Sequence, residues 1–111
     1  MTGPAELVTL FMPVKDRPQY FARVLNYLGR VSSPFHIVVG DGSESATNAQ
    51  NYERVSETTN LPLDYYRFNP DETPRDFFRK LDHLVDYVDT EYVYWLPEDD
   101  FVLVSALGRA A

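Results

Sequence analysis

The fold of this chain is decided by the stretch FHIVVGDGS at residues 35–43. Its first five residues form a nearly continuous apolar run, which is typical of a strand covered on both faces, as in a parallel sheet. The next four residues, Gly40 to Ser43, form a polar turn in which Gly42 permits a close approach of ligand to backbone. A covered strand that ends in such a turn favours an α/β protein.

Three further apolar segments extend this pattern along the chain. We expect strands at LVTLFM (7–12, ended by Pro13), LDYYRF (63–68) and YVYWL (92–96), the last of them buried. Helical spacing of apolar residues predicts helices after Pro18, over 46–57 and after Pro74, where Thr73 and Asp76 fit a capping pattern. The order βαβαβαβ predicts a mostly parallel sheet with helices on both faces.

Composition limits the classes of function. The 111 residues suffice for one small domain, and the net charge of −7 disfavours nonspecific nucleic-acid binding. The absence of cysteine excludes disulfides and is compatible with a reducing compartment. No apolar stretch is long enough for a transmembrane segment and no signal peptide is apparent, so we expect a cytoplasmic protein.

Three polar loops should meet at one edge of such a sheet, because parallel strands end on the same side. They are residues 13–17 (PVKDR), 41–43 (DGS) and 98–100 (EDD). Lys15 and Arg17 are candidates for phosphate contacts, although solvated surface charges are common. The three acids are either a solvated acidic turn or ligands of Mg²⁺ or Mn²⁺, which favour carboxylate and phosphate oxygens.

Taken together, these segments resemble family two of the nucleotide-sugar glycosyltransferases, which are inverting enzymes of the A-type fold. The similar segments are VTLFMPVKDRP (8–18), IVVGDGS (37–43) and YVYWLPEDDF (92–101). The second is similar to a strand ending in Asp-Asp-Gly-Ser, with Gly40 in place of the first acid. The third is similar to the segment that carries the D-x-D signature. The resemblance implies a Rossmann-like half of the glycosyltransferase A fold.

The resemblance also implies roles for particular residues. A nucleoside-diphosphate sugar would be bound by a set of nucleotide-sugar-binding residues: Pro13, Val14, Lys15, Arg17, Asp41, Gly42 and Glu98. Mn²⁺ or Mg²⁺ would be bound by Asp99 and Asp100. The DxD-like motif can be aligned either as residues 97–99 or as residues 98–100, and the sequence does not decide between the two.

The resemblance covers only the nucleotide-binding part of the family's domain. Residues 1–111 would be this N-terminal part, and the catalytic base and the site for a glycan or other hydroxyl acceptor would lie outside the chain. An alternative is a noncatalytic interaction module with the same fold, self-associating as a homo-oligomer through an apolar patch. A phosphoacceptor receiver domain fits poorly, because Asn69-Pro70 stands after the third strand where that class needs Asp.

Overall fold

The computed structural model describes residues 7–97. Strands and helices alternate along this part of the chain, in the predicted order. The elements are β1 (Val8–Val14), α1 (Pro18–Arg30), β2 (His36–Asp41), α2 (Ala46–Thr58), β3 (Leu63–Arg67), α3 (Pro74–Leu84), a 3-10 turn (Val85–Tyr87) and β4 (Tyr92–Trp95).

The four strands form one sheet in the order β3-β2-β1-β4, and every pairing is parallel. The chain moves from β1 to β2 to β3 in one direction and then crosses back to place β4 on the other side of β1. The strand order therefore reverses between β1 and β4. In open α/β sheets, the crevice at the carboxyl ends of the strands at such a reversal is the usual place for a ligand.

The core lies on both faces of the sheet. Side chains along a strand point alternately to its two faces, and Leu10 and Met12 of β1 join the larger cluster, with Phe21 of α1 and Tyr52 of α2. The smaller cluster joins Phe11 of β1 and Val38 of β2 to Leu84 at the end of α3. Helices α1 and α2 thus cover one face and α3 the other, which confirms the predicted arrangement.

Local signals in the sequence set the helix starts. Pro18 is the first residue of α1, where its missing N–H costs no helical hydrogen bond. At α3 the Thr73 side chain accepts from the Asp76 N–H at 3.2 Å, and the Asp76 carboxylate accepts from the Thr73 N–H at 3.1 Å. This reciprocal pair is the predicted capping box, and Pro74 follows it at the first helical position.

The prediction that Pro13 ends the first strand is wrong, because β1 continues to Val14. The Leu96 N–H donates to the Phe11 carbonyl oxygen, so the backbone groups of Phe11 point towards β4. Alternation places those of Pro13 on the same side, two residues beyond the last pairing with β4, which is at Phe11. Pro13 therefore removes no donor from the ladder with β2, and the strand tolerates it.

The prediction of a buried fourth strand is also wrong. All four residues of β4 are between 39% and 54% exposed, and only Leu96 just beyond it is buried. Among the described residues β4 pairs with β1 alone, so it is an edge strand of the sheet that those residues form. An apolar run indicates a strand, but it does not indicate whether a neighbour covers that strand.

No helix within residues 7–97 is both long enough and apolar enough to cross a bilayer.

Candidate functional site

The carboxyl ends of β1 and β2 are joined by hydrogen bonds through Asp16. Its carboxylate accepts from the backbone N–H groups of Glu44 and Ser45 and from the Asn48 side chain, each at 3.1 Å. Its own N–H donates to the Ser43 hydroxyl at 2.9 Å. Asp16 adopts a left-handed backbone conformation with φ 53°, which Asp tolerates better than most residues. The loop after β1 is thereby fixed to the start of α2.

These hydrogen bonds also determine how Asp16 titrates. Partial burial raises the pKa of Asp16, but the hydrogen bonds from Asn48, Glu44 and Ser45 outweigh that effect, with a smaller contribution from the charge of Lys15. The pKa of Asp16 therefore lies below its usual value of 3.8. The side chain is held as a carboxylate, and this charged form fixes the loop.

Asp41 is fully buried at the end of β2, and both of its carboxylate oxygens have partners in the protein. Oδ1 accepts from the Ser43 N–H at 2.8 Å, and Oδ2 accepts from the Tyr65 hydroxyl. Burial and then the Asp41 carboxylate raise the pKa of Tyr65 far above its usual range, so Tyr65 remains a donor. Asp41 thus stabilises the turn after β2 in this structure.

A cavity of about 550 Å³ lies at the carboxyl end of β1, next to the strand reversal. Four predicted nucleotide-sugar-binding residues line it: Pro13, Val14, Lys15 and Arg17. The remaining lining comes from the loop after β3 and from the first two turns of α3: Asp71, Thr73, Pro74, Phe77, Phe78 and Lys80. Its volume lies within the range of small-molecule sites, about 300–1,000 Å³.

The cavity contains a buried ion pair that the sequence analysis did not predict. The Lys80 ammonium group donates to the Asp71 carboxylate, and the two side chains are only 1% and 6% exposed. Lys80 also lies 3.4 Å from the Val14 carbonyl oxygen and 5.1 Å from the centre of the Phe77 ring. The Oδ1 atom of Asp71 is buried and has no hydrogen-bond partner among the described residues.

One sequence signal could have indicated this ion pair. Lys80 stands three residues after Phe77 and therefore falls on the apolar face of α3. A lysine within an apolar stripe must have a partner if it is to be buried. Its partner Asp71 is in the preceding loop, nine positions earlier, and only the folded chain shows that the two meet.

Glycine at position 42 is required by the packing of Asp71. A Cβ atom built on Gly42 would lie 2.2 Å from Asp71 Oδ2. The Gly42 N–H donates to the Val14 carbonyl oxygen at 3.0 Å, and its own carbonyl oxygen accepts from the Asp71 N–H at 2.9 Å. Gly42 therefore joins β1 to the loop that carries Asp71. Neither Asp41 nor Gly42 lines the cavity itself.

Lys15 extends over this loop from the end of β1. Its ammonium group donates to the Asp71 carbonyl oxygen and lies 3.5 Å from the Glu44 carboxylate. The side chain is 39% exposed, so its charge is accessible from solvent. Together with Arg17 and Lys80 it gives the cavity three cationic side chains against one acid, in a chain of net charge −7.

The remaining predicted site residues, Glu98, Asp99 and Asp100, lie outside the described residues. They follow β4 in the sequence, and β4 is the neighbour of β1. Within residues 7–97 no group of three or more His, Cys, Asp or Glu side chains is arranged to bind a metal ion. The metal assignment to Asp99 and Asp100 therefore stays a prediction.

A larger groove of about 930 Å³ lies elsewhere, between the last turns of α1 and α2. Arg23, Arg30, Thr58 and Pro62 are among its lining residues, and none of the predicted site residues within residues 7–97 lines it. Ligands of open α/β sheets bind at the carboxyl ends of the strands. The cavity beside β1 is therefore the better candidate site.

Comparisons with other proteins add no assignment to this geometry. No family model, curated protein or solved structure matches the chain. The class that the described residues define is an α/β protein with a four-stranded parallel sheet and a cationic cavity at the carboxyl end of β1.

Proposed function

We propose that this chain binds a nucleoside-diphosphate sugar in the cavity beside β1, as the donor-binding part of a glycosyltransferase with a Rossmann-like half of the A-type fold. The observation that carries the proposal is the lining of that cavity. Cationic and aromatic side chains occur together there, at the strand reversal, although the chain as a whole is acidic. A nucleotide needs both kinds of contact.

The cationic side chains account for the phosphates. Lys15 reaches the cavity from the end of β1 with an accessible charge, and Arg17 follows two residues later. Hydrogen bonds from ammonium or guanidinium groups to phosphate oxygens are about twice as strong as neutral ones. Lys80 is held by Asp71 in a buried ion pair without net charge, so the phosphate contacts are assigned to Lys15 and Arg17.

The aromatic side chains account for the base or the ribose. Phe78 is 64% exposed at the cavity, and its ring centre lies 5.9 Å from that of Phe77. Stacking of a base on an aromatic side chain is worth about 1–3 kcal/mol. The exposed Phe78 ring is poorly hydrated by water, so it offers a base a stacking surface in the same cavity as the cationic side chains.

The metal would be bound by Asp99 and Asp100, with Glu98 near the ribose or the metal. Bound Mn²⁺ or Mg²⁺ would supply Lewis-acid stabilisation of the leaving diphosphate. The part of the chain that lines the cavity would bind and orient the donor. The sugar would be transferred to a glycan or other hydroxyl acceptor, whose hydroxyl a general base would deprotonate.

Isothermal titration calorimetry with uridine diphosphate, guanosine diphosphate and other nucleoside diphosphates tests the proposal. We expect binding that Mn²⁺ strengthens, and Asp99→Ala should abolish the gain from the metal. Glu57→Ala is the control, because Glu57 is an exposed acid near the far end of α2. Absence of binding to every nucleotide with Mn²⁺ present would refute the proposal.

A second variant tests the cavity separately from the metal. Lys15→Gln should weaken nucleoside diphosphate binding by about tenfold, the loss of one charge-assisted contact of roughly 1.4 kcal/mol. Arg30→Gln, in the last turn of α1, should leave binding unchanged. Equal affinities for the two variants would place the nucleotide elsewhere on the protein.

The alternative function, a noncatalytic interaction module, is favoured by one observation. The β4 strand leaves its aromatic side chains exposed at the sheet edge, as a binding surface would. If calorimetry shows no nucleotide binding, a noncatalytic interaction module becomes the better explanation of what the protein does.

A further inference from the structure

Within the part of the chain that the structure describes, no strand pairs with β4 on the side away from β1, and this free edge carries a continuous run of exposed apolar side chains. Tyr92, Val93, Tyr94 and Trp95 are 54%, 48%, 39% and 48% exposed, and they follow one another without a charged residue. Edge strands of stable monomers are commonly protected by a lysine, a proline or a bulge. None of these occurs within β4.

The backbone groups of β4 on the side away from β1 pair with no strand among residues 7–97. The Leu96 N–H donates to the Phe11 carbonyl oxygen, so the backbone groups of Leu96 face β1. In a parallel pair the backbone groups of successive residues point alternately to the two sides. The N–H and C=O groups of Val93 and Trp95 therefore point away from β1, as the template for one more strand.

Aromatic side chains continue from this edge onto α3. The Trp95 ring lies 6.2 Å from the Phe11 ring and 6.0 Å from the Phe77 ring, measured between centres. Phe77 in turn contacts Phe78, which is 64% exposed. The side chains of an added strand would therefore meet an apolar surface on the α3 face of the sheet as well as the edge itself.

The charge around β4 indicates which partner fits. Residues 81–108 contain seven acids and no lysine or arginine, so this segment alone carries as much negative charge as the net charge of the whole chain, −7. Four of these acids, Asp82, Asp86, Asp89 and Glu91, are exposed ahead of β4. A second copy of this chain would bring two such acidic segments together, whereas a cationic partner would neutralise one.

We propose that the free edge of β4 binds an extended cationic segment of another protein, in which apolar residues alternate with lysine or arginine. The segment adds a fifth strand through main-chain hydrogen bonds to Val93 and Trp95. Its apolar side chains pack on the exposed side chains of β4, and its cationic groups face the acids. Phe77 and Phe78 also line the cavity beside β1, but the main-chain hydrogen bonds of the added strand involve only β4, and their formation does not depend on nucleotide binding.

Trp95 makes the proposal directly measurable, because it is the only tryptophan of the chain. The probe is an acetylated and amidated octapeptide of alternating valine and lysine, which contributes no fluorescence. Adding it to the full chain should shift the Trp95 emission to shorter wavelength with saturation. Raising the salt from 0.05 to 0.5 M should weaken binding by about tenfold, because exposed charges are screened. The same peptide with glutamate in place of lysine should give no shift.

Two variants at one position separate strand addition from simple charge attraction. Val93→Pro removes an outward-facing N–H that has no partner in the pairing with β1, and proline is tolerated on edge strands in this orientation. It should weaken peptide binding at least tenfold. Val93→Thr keeps the N–H and the β-branched shape, so its affinity should stay within about twofold of the original.

Four results would overturn the proposal. The first is no saturable shift with the lysine peptide, and the second is equal binding by Val93→Pro and Val93→Thr. Another is a molecular mass that rises with protein concentration in sedimentation equilibrium, which would make a second copy the occupant of the edge. The last is slow hydrogen exchange of the Val93 and Trp95 amides in the free monomer, which would show that this chain covers its own edge.

Discussion

The packing of Gly42 against Asp71 predicts that Gly42→Ala strongly destabilises the fold. A methyl group there would lie 2.2 Å from Oδ2 and 2.3 Å from Cγ of Asp71, whereas ordinary contacts begin near 3.4 Å. The Asp71 side chain would have to move by roughly 1 Å. It is not free to do so, because its carboxylate is buried against the Lys80 ammonium group.

The size of the effect follows from these two constraints. Overpacking of a filled interior costs about 1–3 kcal/mol, and breaking a buried ion pair costs about 3–5 kcal/mol. Gly42→Ala should therefore lower the free energy of unfolding by about 3 kcal/mol. For a domain of this size that corresponds to a loss of roughly 10 °C or more in Tm.

Gly29 provides the matched control, since the substitution is the same but the surroundings differ. Nothing lies within 4 Å of a Cβ atom built on Gly29, which is in the last turn of α1. Gly29→Ala should stabilise the protein by about 0.5–1 kcal/mol, through the better helix propensity of alanine. Urea unfolding followed by circular dichroism measures both. A loss below about 1 kcal/mol for Gly42→Ala would refute the packing argument.

Two further predictions concern the hydrogen bonds at the ends of β1 and β2. Tyr65→Phe leaves Asp41 Oδ2 buried without its donor and should cost about 1–3 kcal/mol in urea unfolding, with nucleotide affinity unchanged, because Asp41 does not line the cavity. A loss below 0.5 kcal/mol would contradict this. Asp16→Asn should cost about 1–2 kcal/mol at pH 7. Because the folded pKa of Asp16 is lowered, its carboxylate contributes stability above pH 3.8, which is lost as the pH falls through the folded pKa. The difference in the free energy of unfolding between the original protein and Asp16→Asn should therefore be smaller at pH 3 than at pH 7. The same difference at both pH values would show that the charge of Asp16 does not stabilise the fold.

The parts of the fold that the sequence predicted well are those that depend on local chemistry. Pro18, Pro74 and the Thr73–Asp76 pair act within a single turn of helix, so their pattern is sufficient to place a helix start. The parallel direction of the strands also followed from the sequence, because helices between successive strands are typical of parallel pairing, whereas the order of the strands in the sheet was not predicted.

The sequence could not predict which strand lies at the edge. The YVYW run of β4 has the same apolar character as a buried strand, but burial depends on neighbours that come from other parts of the chain. The position of a strand in the sheet determines how far it is buried, and among the described residues β4 has a neighbouring strand, β1, on one side only.

The candidate site was predicted only in part, because some of its residues meet only in the folded chain. The loop after β1 could be assigned to the sheet edge by topology alone, and Lys15 and Arg17 do line the cavity there. The ion pair between Asp71 and Lys80 could not be found in this way, because the two residues are nine positions apart and only the folded chain shows their contact. Asp41 was predicted to contact a ligand, and its carboxylate is occupied by Ser43 and Tyr65 in this structure.

The sheet order also has a consequence for synthesis of the chain. The first strand, β1, lies between β2 and β4, and β4 is the last strand of the described residues to leave the ribosome. Strands β1, β2 and β3 can pair as soon as residue 67 has emerged, and α1 and α2 can then cover one face. During the interval before Tyr92–Trp95 emerges, β1 is itself an open edge on the nascent chain. Chaperone binding to the nascent protein should therefore be strongest within that interval of about 30 residues.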